Sequence, residues 1–198
     1  MDELARSRRM HFSTDRQRFI AARGWLRSVL AGYLGMDPAR LAFGYGPHGK
    51  PELTGLPPKA AALSFNLAHT GSLAVLAVTR GRQVGVDVEK IRPVPEAAAI
   101  AERFFTPRER THYFALPPAR RDAAFFNIWT RKEAMLKGRG SGLDETLDQL
   151  EVLPEAADAA GQACFPDGAS GAGSWRVLSF TPVPAYAAAF ALGEGLTV

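Results

Sequence analysis

Val84-Gly85-Val86-Asp87-Val88-Glu89 alternates apolar and acidic residues at the point where the chain changes character. Residues two apart in a strand share a face, so Asp87 and Glu89 project together while Val86 and Val88 anchor the opposite face. Ahead of this stretch, 63–67 and 73–79 read as two further strands, the second almost continuously apolar as a buried strand is. Arg80-Gly81-Arg82-Gln83 is the turn before the third strand, 84–88. Beyond it Pro93 and Pro95 break the chain, and helical spacing takes over in 95–105, 107–114 and 120–137. The last of these carries Phe125, Ile128, Trp129 and Leu136 on one face, which Lys132 interrupts.

Helix and strand signals continue on both sides of this central region. Residues 15–34 place Phe19, Ala22, Trp25, Leu26, Val29, Leu30 and Tyr33 at helical spacing, with Ser13 or Thr14 as N-cap and Gly35 and Pro38 as stop signals. A short strand at 41–45 and a loop at 46–49 follow. After Asp144 strand character returns at 147–153, 161–165, 175–181 and 186–192, while residues 156–174, rich in Ala, Gly and Asp, read as a surface hairpin or loop. Helix, strands, helices, strands is the order of an α+β protein rather than of an alternating α/β one. It also suggests two similar halves meeting near Gly85.

Composition narrows the function. The chain has 198 residues, 24 Lys+Arg against 20 Asp+Glu, and is 46% apolar and 22% charged, as folded globular proteins are. Residues 1–27 contain seven arginines and three acids, so the whole net charge of +4 sits there and the remainder balances. A neutral body with one basic end is not a nucleic-acid coat. The single Cys164 forms no internal disulfide, the N-terminus is no signal peptide, and no apolar run reaches membrane-spanning length, so the expectation is a cytoplasmic protein.

Four stretches are candidates for chemistry. Asp87 and Glu89 repel each other unless a proton or cation lies between them, and their hard oxygens suit Mg²⁺, Mn²⁺ or Ca²⁺ better than zinc. The same pair also fits a solvated strand end with Glu89 bonded to Lys90 or Arg92. In Trp129-Thr130-Arg131-Lys132-Glu133-Ala134-Met135-Leu136-Lys137, Glu133 and Lys137 share a helix face. They read either as a metal carboxylate beside a phosphate-binding ammonium or as a surface ion pair. Gly49-Lys50-Pro51 is a rigid turn that can hold a Lys against a phosphate, or a plain surface turn. Asn66-Leu67-Ala68-His69-Thr70-Gly71, between two strands, offers His69 as a donor or as an ordinary turn histidine. Lys137-Gly138-Arg139-Gly140-Ser141-Gly142 lacks the order of a phosphate loop, and Gly71-Ser72 lacks a hydrolase elbow.

Taken in order, Gly49-Lys50-Pro51, Phe65 to Gly71, Gly85 to Glu89, Arg103-Phe104-Phe105 and Trp129 to Lys137 resemble the 4′-phosphopantetheinyl transferases of the longer, surfactin-activator type. The pairing of G-[IV]-D-[IV]-E with W-x-x-K-E-A-x-x-K about forty residues on is highly specific to that family. The resemblance covers about residues 8–153. It implies a pseudo-dimer of two α+β halves with the site in the cleft between them: 1–84 with the coenzyme A contacts, and 85–198 with the metal site and the W-x-x-K-E-A helix. It implies transfer of the phosphopantetheine arm of coenzyme A to a serine of an apo acyl or peptidyl carrier protein, in polyketide or nonribosomal peptide biosynthesis, with release of adenosine 3′,5′-bisphosphate. Asp87, Glu89 and Glu133 would hold Mg²⁺, with Mn²⁺ as a substitute. Lys50 and His69 would contact coenzyme A phosphates, helped by the backbone around Gly49, Pro51 and Thr70. Asp87, Glu133 and Lys137 would be the catalytic set, with Glu133 or a neutral Lys137 as base. The expected state is a monomer with no nucleic-acid or membrane partner.

The chain departs from the family in two places. Ala68 stands where the family has serine, and the chain begins almost at the basic segment, so the family's N-terminal strand is missing or lies upstream. The alternative reading is a non-catalytic module that binds coenzyme A or an acidic partner through the basic N-terminal helix.

Overall fold

The computed structural model describes residues 3–57, 62–141, 147–153, 160–163 and 175–193. Cys164 lies outside the described residues. The chain divides into two compact units, residues 1–63 and 64–198.

In the first unit, helices α1 (Glu3–Arg8) and α2 (Ser13–Leu34) precede a hairpin of β1 (Ala42–Tyr45) and β2 (Pro51–Thr54), paired antiparallel from Ala42 opposite Thr54 to Tyr45 opposite Pro51. Neither α1 nor β2 is evident from periodicity; each is too short. Gly35 ends α2 in the left-handed conformation at φ 62°, as the stop signal requires. The start differs: Phe12 is the N-cap and makes no side-chain bond, so neither Ser13 nor Thr14 caps the helix. The buried face is Leu26, Leu30, Ala31 and, unexpectedly, Arg23, while Trp25 and Tyr33 are exposed.

Arg23 is buried because aromatic rings and a carboxylate replace its water. Its guanidinium lies over the rings of Phe19, Phe43 and Tyr45, donates to the Tyr45 hydroxyl at 2.6 Å, and sits 3.1 Å from Glu3 Oε1. Arg27 donates to the other Glu3 oxygen at 2.7 Å and to the carbonyls of Pro38 and Leu41. Two of the seven N-terminal arginines are therefore internal fasteners.

The second unit holds the β3 (Leu63–Thr70) and β4 (Leu73–Arg80) hairpin and an antiparallel sheet in the order β5-β8-β7-β6. Its strands are β5 (Val84–Lys90), β6 (Ala160–Ala163), β7 (Trp175–Phe180) and β8 (Tyr186–Gly193). Between β5 and β6 come α3 (Ala97–Phe104), α4 (Pro107–Ala115) and α5 (Pro118–Arg139). β3 is longer than its apolar run predicts and includes Asn66, His69 and Thr70, so that motif is strand rather than connection. β4 is half-buried along its length rather than enclosed, because it has only β3 as a sheet partner among the described residues. Val86 and Val88 do turn to the face opposite the carboxylates, into an apolar cluster with Ala68 and Ala188. Ala68 is thus core.

α5 lies across β5, β7 and β8, and β8 presents Ala187, Ala189 and Ala191 to the main core, small side chains that let a helix come close. Phe105, Tyr113, Phe125, Phe126 and Met135 fill that core, with Phe104, Phe114 and Trp129 packed at its edge; these aromatics are structural. α4 starts in a full capping box: Thr106 accepts from Glu109 N–H while Glu109 accepts from Thr106 N–H.

Residues 147–153 were expected as a strand. Instead they form a 3₁₀ turn, Leu147–Gln149, and then a run whose one bridge residue is Glu151. Side chains have taken the backbone groups that a sheet would use. Lys132 donates to the carbonyls of Leu147 at 2.7 Å and Leu150 at 2.5 Å, and Arg131 to that of Val152 at 2.6 Å. Glu109 accepts from Val152 N–H at 2.8 Å. Lys132 and Glu109, both fully buried, complete the arrangement with an ion pair at 2.7 Å. Burial pushes the Lys132 ammonium down and the Glu109 carboxyl up, and each partner's charge opposes the shift. The residue that breaks the apolar face of α5 is a polar staple through the core.

Candidate functional site

β5 and α5 bring together the acidic strand and the Glu-Ala-x-x-Lys helix face. Their backbones touch. A Cβ on Gly85 would overlap the Ala134 carbonyl oxygen and the Gly138 nitrogen, with Gly138 Cα at 2.7 Å. A Cβ on Gly138 would meet the Trp175 ring at 2.6 Å. Glycine at 85 permits this approach, because the obstructing atoms are backbone; at 138 it spares the Trp175 ring a displacement.

The approach delivers Lys137 to the strand. Its ammonium donates to Asp87 Oδ1 at 2.5 Å, so Lys137 turns to Asp87 and not to Glu133 as the i,i+4 reading expected. Asp87 is 4% exposed, and its second oxygen, Oδ2, is buried with no hydrogen-bond partner among the described residues. Glu89 is held from two sides: Thr70 Oγ1 donates to Oε2 at 3.2 Å, and Arg92 lies 3.7 Å from the same oxygen. The solvated-pair reading of Glu89 is therefore met by Arg92 rather than Lys90. The Glu133 carboxyl is raised, first by burial and then by the charges of Asp87 and Glu89, while Lys137 opposes the rise. Three carboxylates thus share one electrostatic neighbourhood with one ammonium.

Carboxylates cost energy when crowded and buried unless a cation compensates. An orphaned carboxylate oxygen and an all-oxygen donor set fit a hard divalent cation. Among the described residues no group of three or more His, Cys, Asp or Glu side chains forms a ready-made metal site as it stands; the positive charge at Asp87 is that of Lys137.

β3 contributes a residue that sequence reasoning passed over. Asn66, buried in the strand, accepts the Val86 N–H on its Oδ1 at 2.8 Å, which fixes the β5 backbone between Gly85 and Asp87. The available signal was an amide in an otherwise apolar strand. The Thr70 side chain was missed in the same way; the motif pointed to its backbone, whereas its hydroxyl holds Glu89. His69 is exposed near the end of β3.

In the first unit, Gly49-Lys50-Pro51 closes the β1–β2 hairpin. Gly49 has φ +80°, Gly46 N–H donates to the Lys50 carbonyl at 2.9 Å, and Pro51 begins β2. The Lys50 ammonium is pushed down by burial, against the pull of Glu52.

Carboxylates beside an ammonium on a rigid strand–helix contact are what an enzyme handling phosphate esters with a divalent cation requires. Comparison with known proteins makes the class specific. Residues 83–191 match the 4′-phosphopantetheinyl transferase superfamily, and residues 1–81 match the family described as 4′-phosphopantetheinyl transferase, N-terminal. The chain is 40% identical over 181 residues to the 4′-phosphopantetheinyl transferase HetI of a Nostoc species, covering 91% of this chain and 73% of that protein. It is 33% identical over 151 residues to a 4′-phosphopantetheinyl transferase of Bacillus subtilis, covering 76% of this chain and 64% of that one. A Thermotoga maritima holo-[acyl-carrier-protein] synthase aligns over 58% of this chain and 64% of its own, at 23% identity and a TM-score of 0.48. The chain belongs to the 4′-phosphopantetheinyl transferase superfamily and is an enzyme of that class. Among the described residues no helix is long and apolar enough to cross a membrane.

Proposed function

We propose that this enzyme moves the phosphopantetheine arm of coenzyme A to a serine of an apo acyl or peptidyl carrier protein with the help of Mg²⁺. The observation that carries the residue assignment is Asp87: buried, bonded to Lys137 through one oxygen and orphaned at the other. Asp87, Glu89 and Glu133 would hold the cation, with Mn²⁺ able to replace it. Bound there, it supplies two positive charges against the pyrophosphate and the charge that grows on it.

The chain's own groups do the rest. Lys137 stands beside Asp87 and is within reach of a phosphate oxygen once released. Lys50 and His69, with the backbone at Gly49, Pro51 and Thr70, bind the remaining phosphates of coenzyme A. The serine oxygen bonds to the phosphorus on the pantetheine side, the bridging P–O bond breaks, and adenosine 3′,5′-bisphosphate leaves with the electron pair. The serine proton passes to Glu133, whose raised affinity for protons suits a base working near neutral pH; a neutral Lys137 is the second choice. The division of labour follows the motifs, with coenzyme A contacts in 1–84 and cation and transfer groups in 85–198. The enzyme acts as a cytoplasmic monomer and needs no nucleic acid. Family membership disfavours the non-catalytic binding module.

Incubation with coenzyme A, Mg²⁺ and an apo carrier protein, followed by mass measurement of the carrier, tests this reading. The expected result is a gain of one phosphopantetheine arm. No gain across several acyl and peptidyl carriers overturns it.

A further inference from the structure

The motif on α5 has two sides. Glu133 and Lys137 face β5. Lys132, about 100° round the helix from Glu133, enters the core in the other direction and is fully buried. Its three donors are all used: Glu109 at 2.7 Å, the Leu147 carbonyl at 2.7 Å and the Leu150 carbonyl at 2.5 Å. Glu109 in turn accepts from Thr106 N–H and Val152 N–H, both at 2.8 Å. Each partner is therefore anchored in a separate piece of backbone, the start of α4 and the run 147–153.

We infer that Lys132, locked to Glu109, is a positioning residue for the transfer reaction: it sets the rotation of α5 that aims Glu133 and Lys137 at β5. A helix against a sheet can roll, because apolar contacts are non-directional and tolerate a turn of a few degrees. The Gly85–Gly138 contact fixes the distance between α5 and β5 but offers no directional bond. Arg131 contributes one such bond to Ser179 Oγ on β7, and the buried Lys132 ammonium contributes three. Its three acceptors are satisfied together in one helix rotation, and any other leaves a charge buried without partners. A roll of about 15° at the radius of a side-chain tip moves it by roughly 1–2 Å, enough to cost about a hundredfold in a positioned reaction.

This inference rests on the function proposed above, and its test separates the two. The double variant Glu109→Gln/Lys132→Met removes both buried charges, so neither remains unpaired, and Val177→Ala supplies a control: a core truncation in β7 at a residue that makes none of the pair's bonds. Both are assayed with carrier protein at a temperature where circular dichroism shows them folded. The expected result for the double variant is a fall in kcat of about tenfold to a hundredfold, with KM for coenzyme A within about threefold of the wild type and kcat of Val177→Ala near wild type. A kcat for the double variant within about threefold of the Val177→Ala value shows a structural role alone and overturns the inference. Should the wild type modify no carrier, the proposed function fails, and Mn²⁺ affinity measured by electron paramagnetic resonance decides this inference instead. Weaker Mn²⁺ binding in the double variant than in Val177→Ala supports it, and equal binding overturns it.

Discussion

Gly85 and Gly138 lie so close that Gly85 cannot carry a side chain: the position of its Cβ is already taken by the backbone of Ala134 and Gly138 in the last turn of α5. This contact is what allows the Lys137 ammonium to reach Asp87, 2.5 Å away on the neighbouring strand position but one.

Replacing Gly85 by alanine therefore pushes α5 off β5. The obstructing atoms are backbone, which cannot swing aside, so the loss is expected at the upper end for overpacking, about 3 kcal/mol. For a chain of this length that is a drop in Tm of roughly 6–12 °C, measurable by thermal denaturation. Gly138→Ala meets the Trp175 ring instead. It should cost less, because a side chain can shift. Equal stabilities of Gly85→Ala and wild type would refute the contact.

Lys137 supplies the positive charge at Asp87 in the absence of other ligands, so it competes with a divalent cation for that oxygen. In protein free of coenzyme A, Lys137→Met should bind Mn²⁺ more tightly than wild type, by about threefold to tenfold. Transfer activity should fall in the same variant, because the ammonium is also needed at the phosphate. Unchanged or weaker Mn²⁺ binding would show that Lys137 does not guard the site.

Glu133 sets the acid limit. Its carboxyl is raised by burial and by Asp87 and Glu89, and it must be ionised to hold a cation or take the serine proton. Cation affinity and kcat/KM should both decline as pH falls through a range above the ordinary carboxylate one. The sign for the cation-free fold is opposite. A raised carboxyl binds more protons folded than unfolded, so this group's contribution to stability is full below its unfolded pKa and is lost as pH rises through the folded one. Glu133→Gln should remove that stability slope, readable as Tm against pH.

Arg23 tests the meaning of the basic N-terminus. It is engaged by Glu3, Tyr45 and the Phe19 and Phe43 rings, so Arg23→Ala should destabilise by about 2 kcal/mol and leave KM for coenzyme A unchanged once folded protein is assayed. A rise in KM of tenfold or more would make it a ligand contact instead.

Much of this was readable from residue order. The alternation of Val84 to Glu89 and the helical spacing before the Gly35 stop both depend on local geometry, and local geometry is what periodicity encodes. The pairing of the two acidic motifs identified the family because few folds combine them. Other features were hidden for a shared reason. Lys132 reads as an interruption in an apolar face and Arg23 lies outside the apolar set of its helix; only their partners, 23 and 20 residues away at Glu109 and Glu3, make them buried. Residues 147–153 have the composition of a strand, yet Arg131, Lys132 and Glu109 occupy the backbone groups a strand would pair.

From its residues alone, then, this chain determined its α+β class, its family and the identity of its candidate carboxylates, because each depends on residue type and spacing along one strand or helix. The tertiary structure decided which groups face one another: Lys137 to Asp87 rather than Glu133, Thr70 and Arg92 to Glu89, and Lys132 inward to Glu109. Those choices turn on the distance and rotation between α5 and its neighbours, which arise only when separate elements pack.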